Sequence, residues 1–560
     1  MVWTHRLRWN VLILAGLSGL ALFGCSGDTS APPSATDPLV LDPTQVAGRS
    51  ILVVLSDTHR QDHVSAGPSK TPGHSMTPHL AWLARDGVTL TDTTTPVPVS
   101  APAYASLFTG LLPAGHGVLN NHQSLGTEPP VLAETLRAAG YQTAAAVSNP
   151  FCSSAHGFDR GFDSFWDLVE GHGKGGDRVT EAALDWLDQR DATRPFFLFL
   201  AYMDAHTPYV TAESPASLMA SVDGEPCCLL VAENSHREQR IPFTAEGRTR
   251  LTLRALASDP GSHPHASGQS VADPPTAGSE LYVTDLHVYP ETLELRRLDG
   301  FETVSEGRYE RLANTATVEV VPAAGTAGPV EAELRFRAYR RYRPEETPDL
   351  YATGVRHFDR HFGQLLAGLG ARGLYDDTII LFVSDHGEML GEHGAWGHVD
   401  ALWHESLRVP AILKAPGLEP GSDWDGPVDL TDLHGLLTGL ADPSSAAPPT
   451  LVGQGPRLAA TYPPEAQVLR LAAQEGDYKL VGTAEALTSD GADLELYDLS
   501  SDPAEQHNLF AERRREPEVR RLVDALRQHL ADLSGAQSLD RDALDADALK
   551  ALEALGYLGH

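Results

Sequence analysis

The stretch TIILFVSDHGE, from Thr378 to Glu388, decides the fold. It opens with six residues rich in large and β-branched apolar side chains and free of charge, which reads as a strand buried on both faces. The run stops at Ser384, and an acid and a histidine then stand side by side before Gly387. Strands covered on both faces belong to sheets with helical crossovers, and such sheets bind ligands beyond the carboxyl ends of their strands. Asp385 and His386 occupy that position.

Three other runs share this character: SILVVLSD (Ser50–Asp57), TAAAVSN (Thr143–Asn149) and PFFLFLAYMD (Pro195–Asp204). Helical patterns lie between them. TPHLAWLARDG (Thr77–Gly87) starts on a Pro and stops on a Gly, VLAETLRAAG ends at Gly140, and VTEAALDWLDQR and DLYATGVRHFDRHFGQLLAGLGARG begin at Val179 and Asp349. Strands alternating with helices predict an α/β fold with a mostly parallel sheet covered on both faces. Residues 211–345 break the rhythm. TRLTLRA, SELYVTDLHVYP, ETLELRRL, TATVEVV and EAELRFRAYRRY alternate apolar and polar side chains between Gly-, Pro- and Ser-rich turns, the pattern of an inserted antiparallel β-rich module. After residue 445 come short strands and an amphipathic helix, EPEVRRLVDALRQHLADL, forming a small C-terminal α+β subdomain over 446–560. The two flanking stretches, 49–210 and 346–445, form one catalytic domain.

The chain has 560 residues and a formal net charge of -33. That charge excludes a nucleic-acid partner, whose phosphates need a basic surface. Arg6 and Arg8 precede the apolar run VLILAGLSGLALFG and then Cys25, so residues 1–24 read as a secretory signal rather than a spanning helix. The LFGC end resembles a bacterial lipobox, with Cys25 as the lipidated residue. Residues 25–48 are then a flexible tether rich in Ser, Pro and Asp. Ser26 after the cysteine favours the outer membrane, facing the periplasm or the cell surface. The remaining cysteines, Cys152, Cys227 and Cys228, allow one disulfide without choosing its partners.

Asp57, Asp385 and His386 all fall just past a predicted strand. Hard carboxylate oxygens with one imidazole suit a divalent cation. Ser100 stands two residues before Pro102, close to a helix N-terminus, where backbone N–H groups and the helix dipole favour an anion. A metal beside its hydroxyl would make it a nucleophile, although a serine there is more commonly a cap. Asp204 and His206 end another strand. His393 and His398 share a Gly-rich loop after SDHGE. Histidines so placed can bind an oxyanion, give a proton to a leaving group or hold a second metal.

These pieces resemble the sulfatase family, within the alkaline phosphatase superfamily. The resemblance rests on LSDTHRQDH (Leu55–His63), TPHLAWLARDGV, SAPAYASLFTGLLPAGHGV (Ser100–Val118), GYQTAAAVSN, GFDRGFDSF, FFLFLAYMDAHTPY, DDTIILFVSDHGEMLGEHGAWGH (Asp376–His398) and LRVPAILKAPG, in that order. DYKLVGT and LELYDLSSDPAEQHNL extend it to the C-terminal part. It implies an alkaline-phosphatase-like central mixed sheet sandwiched by helices. It also implies one bound divalent ion, calcium by family habit with zinc or manganese open, held by Asp57, Thr58, Ser100, Asp385 and His386. Ser100 takes the nucleophile position, which sulfatases fill with a Cys or Ser converted to formylglycine. His206 takes the position that serves the substrate oxyanion and the leaving group. His398 lies near a family Lys. Arg60, Tyr104, Asp204 and His393 are the expected substrate contacts.

The chain also departs from the family. Thr58 replaces a second acid, Tyr104 replaces the Arg that closes the formylglycine signature, and AVSNPF (Ala146–Phe151) lacks the family Lys. Three readings stay open. The first is a sulfatase acting on an extracellular sulfate ester, such as a sulfated glycan. The second is a phosphate or phosphonate mono- or diester hydrolase that uses unmodified Ser100, for which two metals are usual and Asp204, His206 and His398 would have to supply the second site. The third is a non-catalytic glycan-binding protein on the same fold.

Overall fold

The computed structural model describes residues 37–65, 76–168, 175–207, 216–232, 238–256, 280–290, 292–304, 309–323, 328–341, 347–441, 448–453, 455–462, 469–488 and 493–536. The expected signal over residues 1–24 and Cys25 lie outside them. No helix among the described residues is long and apolar enough to cross a membrane.

The central sheet has eight strands: Ser50–Ser56 (β1), Val88–Leu90 (β2), Gln142–Val147 (β3), Ser164–Asp167 (β4), Phe196–Tyr202 (β5), Thr378–Val383 (β6), Ala411–Lys414 (β7) and Ser422–Trp424 (β8). Their spatial order is β8-β2-β7-β6-β1-β5-β3-β4. From β6 across to β4 every neighbouring pair is parallel, and β7 runs against both its neighbours, β6 and β2. The sheet is therefore mixed, as the family resemblance implied, with its parallel block at the strands that carry the candidate residues.

The apolar runs are uninterrupted because both faces are covered. In β1, Ile51, Val53 and Leu55 join one core and Leu52 and Val54 the other. This is the period of two expected of a strand. The first core holds the helices Ser100–Thr109, Leu132–Ala138 and Leu430–Gly439. The second holds Pro78–Asp86, Gly176–Gln189 and Thr347–Ala371. All ten residues of Ser100–Thr109 are buried, so this helix is a core element with no solvent face. It ends at Gly110, whose left-handed conformation (φ 70) lets its N–H bond to Ser106 O.

The insertion forms eight antiparallel strands, the first Ala216–Val222 and the last Val330–Arg341, joined in one hydrogen-bonded network. It has its own core, including Ile241, Phe243, Leu251, Val318, Leu334 and Phe336. In the C-terminal part, Arg457–Thr461, Arg470–Glu475, Tyr478–Thr483 and Glu495–Asp498 make a four-stranded antiparallel sheet. Leu471, Leu480, Leu522 and Leu526 belong to the first main core, so this sheet and the helix Pro517–Ala536 pack as part of the catalytic body. Cys152 is buried and unbridged, and the side chains of Cys227 and Cys228 fall outside the description.

The long helix Thr347–Ala371 sets the position of the loop after β5. A Cβ at Gly354 would stand 2.3 Å from the carbonyl oxygen of Asp204, far inside contact distance. Gly354→Ala must push the helix off the Asp204–His206 loop. It should cost about 1–3 kcal/mol, the usual penalty of overpacking, read as a lower unfolding midpoint. An unchanged midpoint would mean the helix can slide without cost.

Candidate active site

The four parallel strands β6, β1, β5 and β3 end at one edge, and each delivers polar residues there. Asp385 and His386 follow β6, Asp57 follows β1, Asp204 and His206 follow β5, and Asn149 follows β3. Because β1 pairs directly with β6, Asp57 and Asp385 are brought face to face.

One ligand atom from each of Asp57, Asp385 and His386 lies within 4.8 Å of the other two. All three residues are fully buried. Each carboxylate is held by one oxygen. Asn149 Nδ2 donates to Asp57 Oδ2 at 2.6 Å, and the backbone N–H groups of Thr58 and His386 donate to Asp385 Oδ1 at 3.0 and 2.9 Å. The other two oxygens, Asp57 Oδ1 and Asp385 Oδ2, have no hydrogen-bond partner. His386 Nδ1 lies 3.0 Å from the Gly387 carbonyl, which can only accept, so Nδ1 carries the proton and Nε2 presents a lone pair 3.4 Å from Asp385 Oδ2.

Burial pushes the Asp57 carboxyl well above its ordinary range, and the neighbouring Asp385 pushes it further. Burial also raises Asp385, to about 6. Two bare carboxylate oxygens and one imidazole lone pair in a dry pocket form a donor set that a divalent cation satisfies. Such an ion would offset the burial and mutual repulsion that raise both acids. Among the described residues no second group of three acids, histidines or cysteines comes together, so Asp204, His206 and His398 do not form a second metal site.

Thr58 takes a left-handed backbone (φ 56), rare for a β-branched residue. The strain is held by Thr58 N–H on Asp385 and by the Tyr351 hydroxyl, which donates to Thr58 O at 2.8 Å. Its own Oγ1 is buried without a partner.

Ser100 is the first residue of its helix, and the cap position belongs to Val99, which makes no side-chain cap bond. The common role of a serine there, capping, is therefore not the one Ser100 plays. Its hydroxyl lies 3.4 Å from His386 Nε2 and donates to that lone pair. Asn121 Oδ1 accepts from Ala101 N–H at 2.9 Å, tying the first turn of the helix to the loop after it.

His206 and His398 flank this group. His206 Nε2 lies 4.0 Å from Asp57 Oδ1, and its Nδ1 pairs with the Thr207 carbonyl. The His398 ring stands 4.2 Å from that of His386 and 5.6 Å from that of His206. His398 Nδ1 donates to Pro98 O at 2.7 Å, so its Nε2 is the free nitrogen. Burial, followed by the nearby His386, holds its pKa well below the usual histidine value.

Four expected substrate contacts sit in other settings. Arg60 is bound to Asp62, Glu392 and the Glu388 carbonyl, so its guanidinium is not offered to an anion. Asp204 Oδ1 pairs with His361 Nε2 at 3.7 Å. His393 is exposed and stacks on Trp403, with ring centroids 4.4 Å apart. Tyr104 lies one helical turn after Ser100, packed edge-on against Phe158 and Phe199, and its hydroxyl is buried with no partner. Sequence reasoning missed Asn149 and Asn121. Asn149 had a signal, since it closes the TAAAVSN run at the same sheet edge.

A divalent ion in the Asp57–Asp385–His386 group should raise the unfolding midpoint. The gain is about 2.7 kcal/mol at a metal concentration 100 times Kd. Chelation should reverse the rise and Asp385→Asn should abolish it. An unchanged midpoint on adding calcium, zinc or manganese in turn, read by calorimetry, would refute the assignment.

A family model described as Sulfatase matches residues 49–442. The N-acetylglucosamine-6-O-sulfatase of Bacteroides thetaiotaomicron is 22% identical over 539 residues, covering 86% of this chain and 87% of that protein. The choline-sulfatase of Rhizobium meliloti is 26% identical over 520 residues, covering 89% and 88%. The crystal structure of the phosphonate monoester hydrolase of Agrobacterium radiobacter shares the fold, with a TM-score of 0.51 at 16% identity over 87% of this chain and 96% of that one. With its ordered motifs, its mixed sheet and the residues gathered at the edge of that sheet, the chain belongs to the sulfatase family of ester hydrolases.

Proposed function

We propose that this protein hydrolyses sulfate esters of an extracellular substrate with Ser100 as its nucleophile. The observation that carries the reading is the Ser100 hydroxyl, buried at the start of a core helix and 3.4 Å from His386 Nε2 beside two bare carboxylate oxygens. A divalent cation there, calcium by family habit, would be held by Asp57, Asp385 and His386, with the Ser100 and Thr58 hydroxyls adjacent. When bound it supplies positive charge that lowers the pKa of the nucleophile and polarises the ester.

The chain's own residues do the rest. The 3.4 Å contact between Ser100 Oγ and His386 Nε2 places the hydroxyl beside the donor set, and the single Nε2 lone pair would belong to the cation when one is bound. Asn149 fixes the rotamer of Asp57, and Asn121 fixes the first turn of the nucleophile's helix. His206 and His398 each bond a backbone carbonyl through Nδ1, so each Nε2 carries a lone pair that can accept a proton from the nucleophile or from water, and can return it to a departing alkoxide only once protonated. The curated relatives include a sulfatase of N-acetylglucosamine, which supports a sulfated sugar as substrate. The basic start, apolar run and LFGC end support export and a lipid anchor at Cys25. The intact donor set argues against a protein that only binds.

Tyr104 favours a second reading, hydrolysis of a phosphonate or phosphate ester by unmodified Ser100. It removes the Arg of the formylglycine signature, and the chain shares its fold with a phosphonate monoester hydrolase.

Paired assays decide between them. With metal present, turnover of 4-nitrophenyl sulfate should exceed that of 4-nitrophenyl phenylphosphonate and of bis(4-nitrophenyl) phosphate. Ser100→Ala should lower it by about 10³-fold or more, since a lost nucleophile leaves only binding and electrostatics. Mass analysis of the Ser100 peptide reports formylglycine. Faster phosphonate than sulfate turnover, with an unmodified serine, would replace the first reading by the second.

A further inference from the structure

Arg60 lies three residues after Asp57 on the loop leaving β1, and is 4% exposed. Its guanidinium grips both oxygens of Asp62, at 2.9 and 2.7 Å, and reaches across to another loop. There Nη1 donates to Glu388 O at 3.0 Å and to Glu392 Oε1 at 2.8 Å. Burial disfavours the charge, and the carboxylates of Asp62 and Glu392 more than offset it.

Glu388 and Glu392 open the hairpin that joins His386 to His398, in which Met389–Leu390 pairs antiparallel with Trp396–Gly397. Glu392 also holds the turn, since its Oε2 accepts from Leu390 N–H at 2.8 Å. The Arg60 end is itself anchored. Its backbone N–H donates to the Tyr351 hydroxyl at 2.7 Å, which donates on to Thr58 O at 2.8 Å. The hairpin is held at its root by Arg60 and by the Glu388 N–H on Glu405 O, at its turn by Arg60 on Glu392 and by His393 stacked on Trp403, and at its end by the bond from His398 to Pro98 O.

We propose that Arg60 is a positioning residue that braces this hairpin against the metal loop and so sets the place of His398. It does not bind the substrate anion. The fork geometry is required, because four separate bonds leave one side chain in fixed directions and a lysine ammonium cannot reproduce them.

The kinetic part of the test rests on the hydrolase reading above. Arg60→Lys should lower kcat about 10²-fold with KM nearly unchanged, the scale of an ångström of misplacement. In a His398→Ala background the same change should cost no more than about twofold, because both act through one group. Glu392→Ala should show the same pattern and guards against a folding defect peculiar to Arg60. A raised KM, or full additivity with His398→Ala, would overturn the proposal. Hydrogen exchange is independent of turnover. The amides of Leu390 and Gly391 should exchange faster in Arg60→Lys while those of β1 and β6 stay protected, and unchanged exchange of the hairpin would overturn the proposal even in a chain that cleaves no ester.

Discussion

Two carboxylates, Asp57 and Asp385, sit fully buried within reach of each other, each with one oxygen unbonded. Removing ionised groups from water costs several kcal/mol each unless charge and hydrogen bonds compensate. The arginine nearest in sequence, Arg60, does not supply that charge, since it is committed to Asp62 and Glu392. The rest of the site answers this constraint. Asn149 satisfies Asp57 Oδ2, and Thr58 N–H and His386 N–H together satisfy Asp385 Oδ1, which leaves the other oxygen of each acid for a cation. The parallel pairing of β1 with β6 is what forces the two acids together, so the fold itself creates the demand.

A site made from five loops needs something to hold them in register. Here the loops are tied to one another as much as to the sheet. Asp57 is tied to the β3 loop through Asn149. Thr58 and Arg60 are tied to the long helix through Tyr351. His398 is tied to the segment entering the nucleophile's helix, and that helix is tied to the following loop through Asn121. Close packing completes the job where no side chain fits. A Cβ at Gly387 would stand 1.9 Å from Glu405 O, so the segment after His386 lies flush against the next loop. Preorganisation of this kind is what lets charge stabilise a transition state without reorganisation.

The sheet and its edge were legible because their causes are local. An unbroken apolar run ending in an acid can be recognised residue by residue, and Ser50–Asp57, Pro195–Asp204 and Thr378–Asp385 all were. The metal group followed, since strand ends at one edge must meet. What stayed hidden depends on side-chain direction across long sequence separations. Arg60 looked like an anion binder because its chemistry fits one, and only the partner 332 residues away shows its charge already committed. Asp204 was grouped with a second metal, but its bond runs to His361 on a helix whose inward face no motif marks. The insertion was readable as alternating strands, while its order, with Tyr309–Pro322 pairing three other strands, follows from long-range register that a single sequence does not encode locally.

Tyr104 bears on which ester fits. Its phenol lies one turn below Ser100, buried with no partner, where the family signature has a cation. Burial, and then Asp57, raise its pKa well above the ordinary tyrosine value, so it stays neutral. A neutral phenol can donate a hydrogen bond to an anion but brings no charge to balance it. The loss of the family Lys in Ala146–Phe151 acts in the same direction. A divalent cation held there would face two buried aspartates, beside His386 and His398, whose pKa values burial lowers. Bringing a doubly charged phosphate monoester into that balance adds two negative charges, whereas a sulfate monoester, a phosphodiester or a phosphonate monoester adds one. At low dielectric each uncompensated charge weighs heavily. A singly charged ester therefore carries the smaller electrostatic cost, a property shared by sulfate monoesters, phosphodiesters and phosphonate monoesters and not by phosphate monoesters.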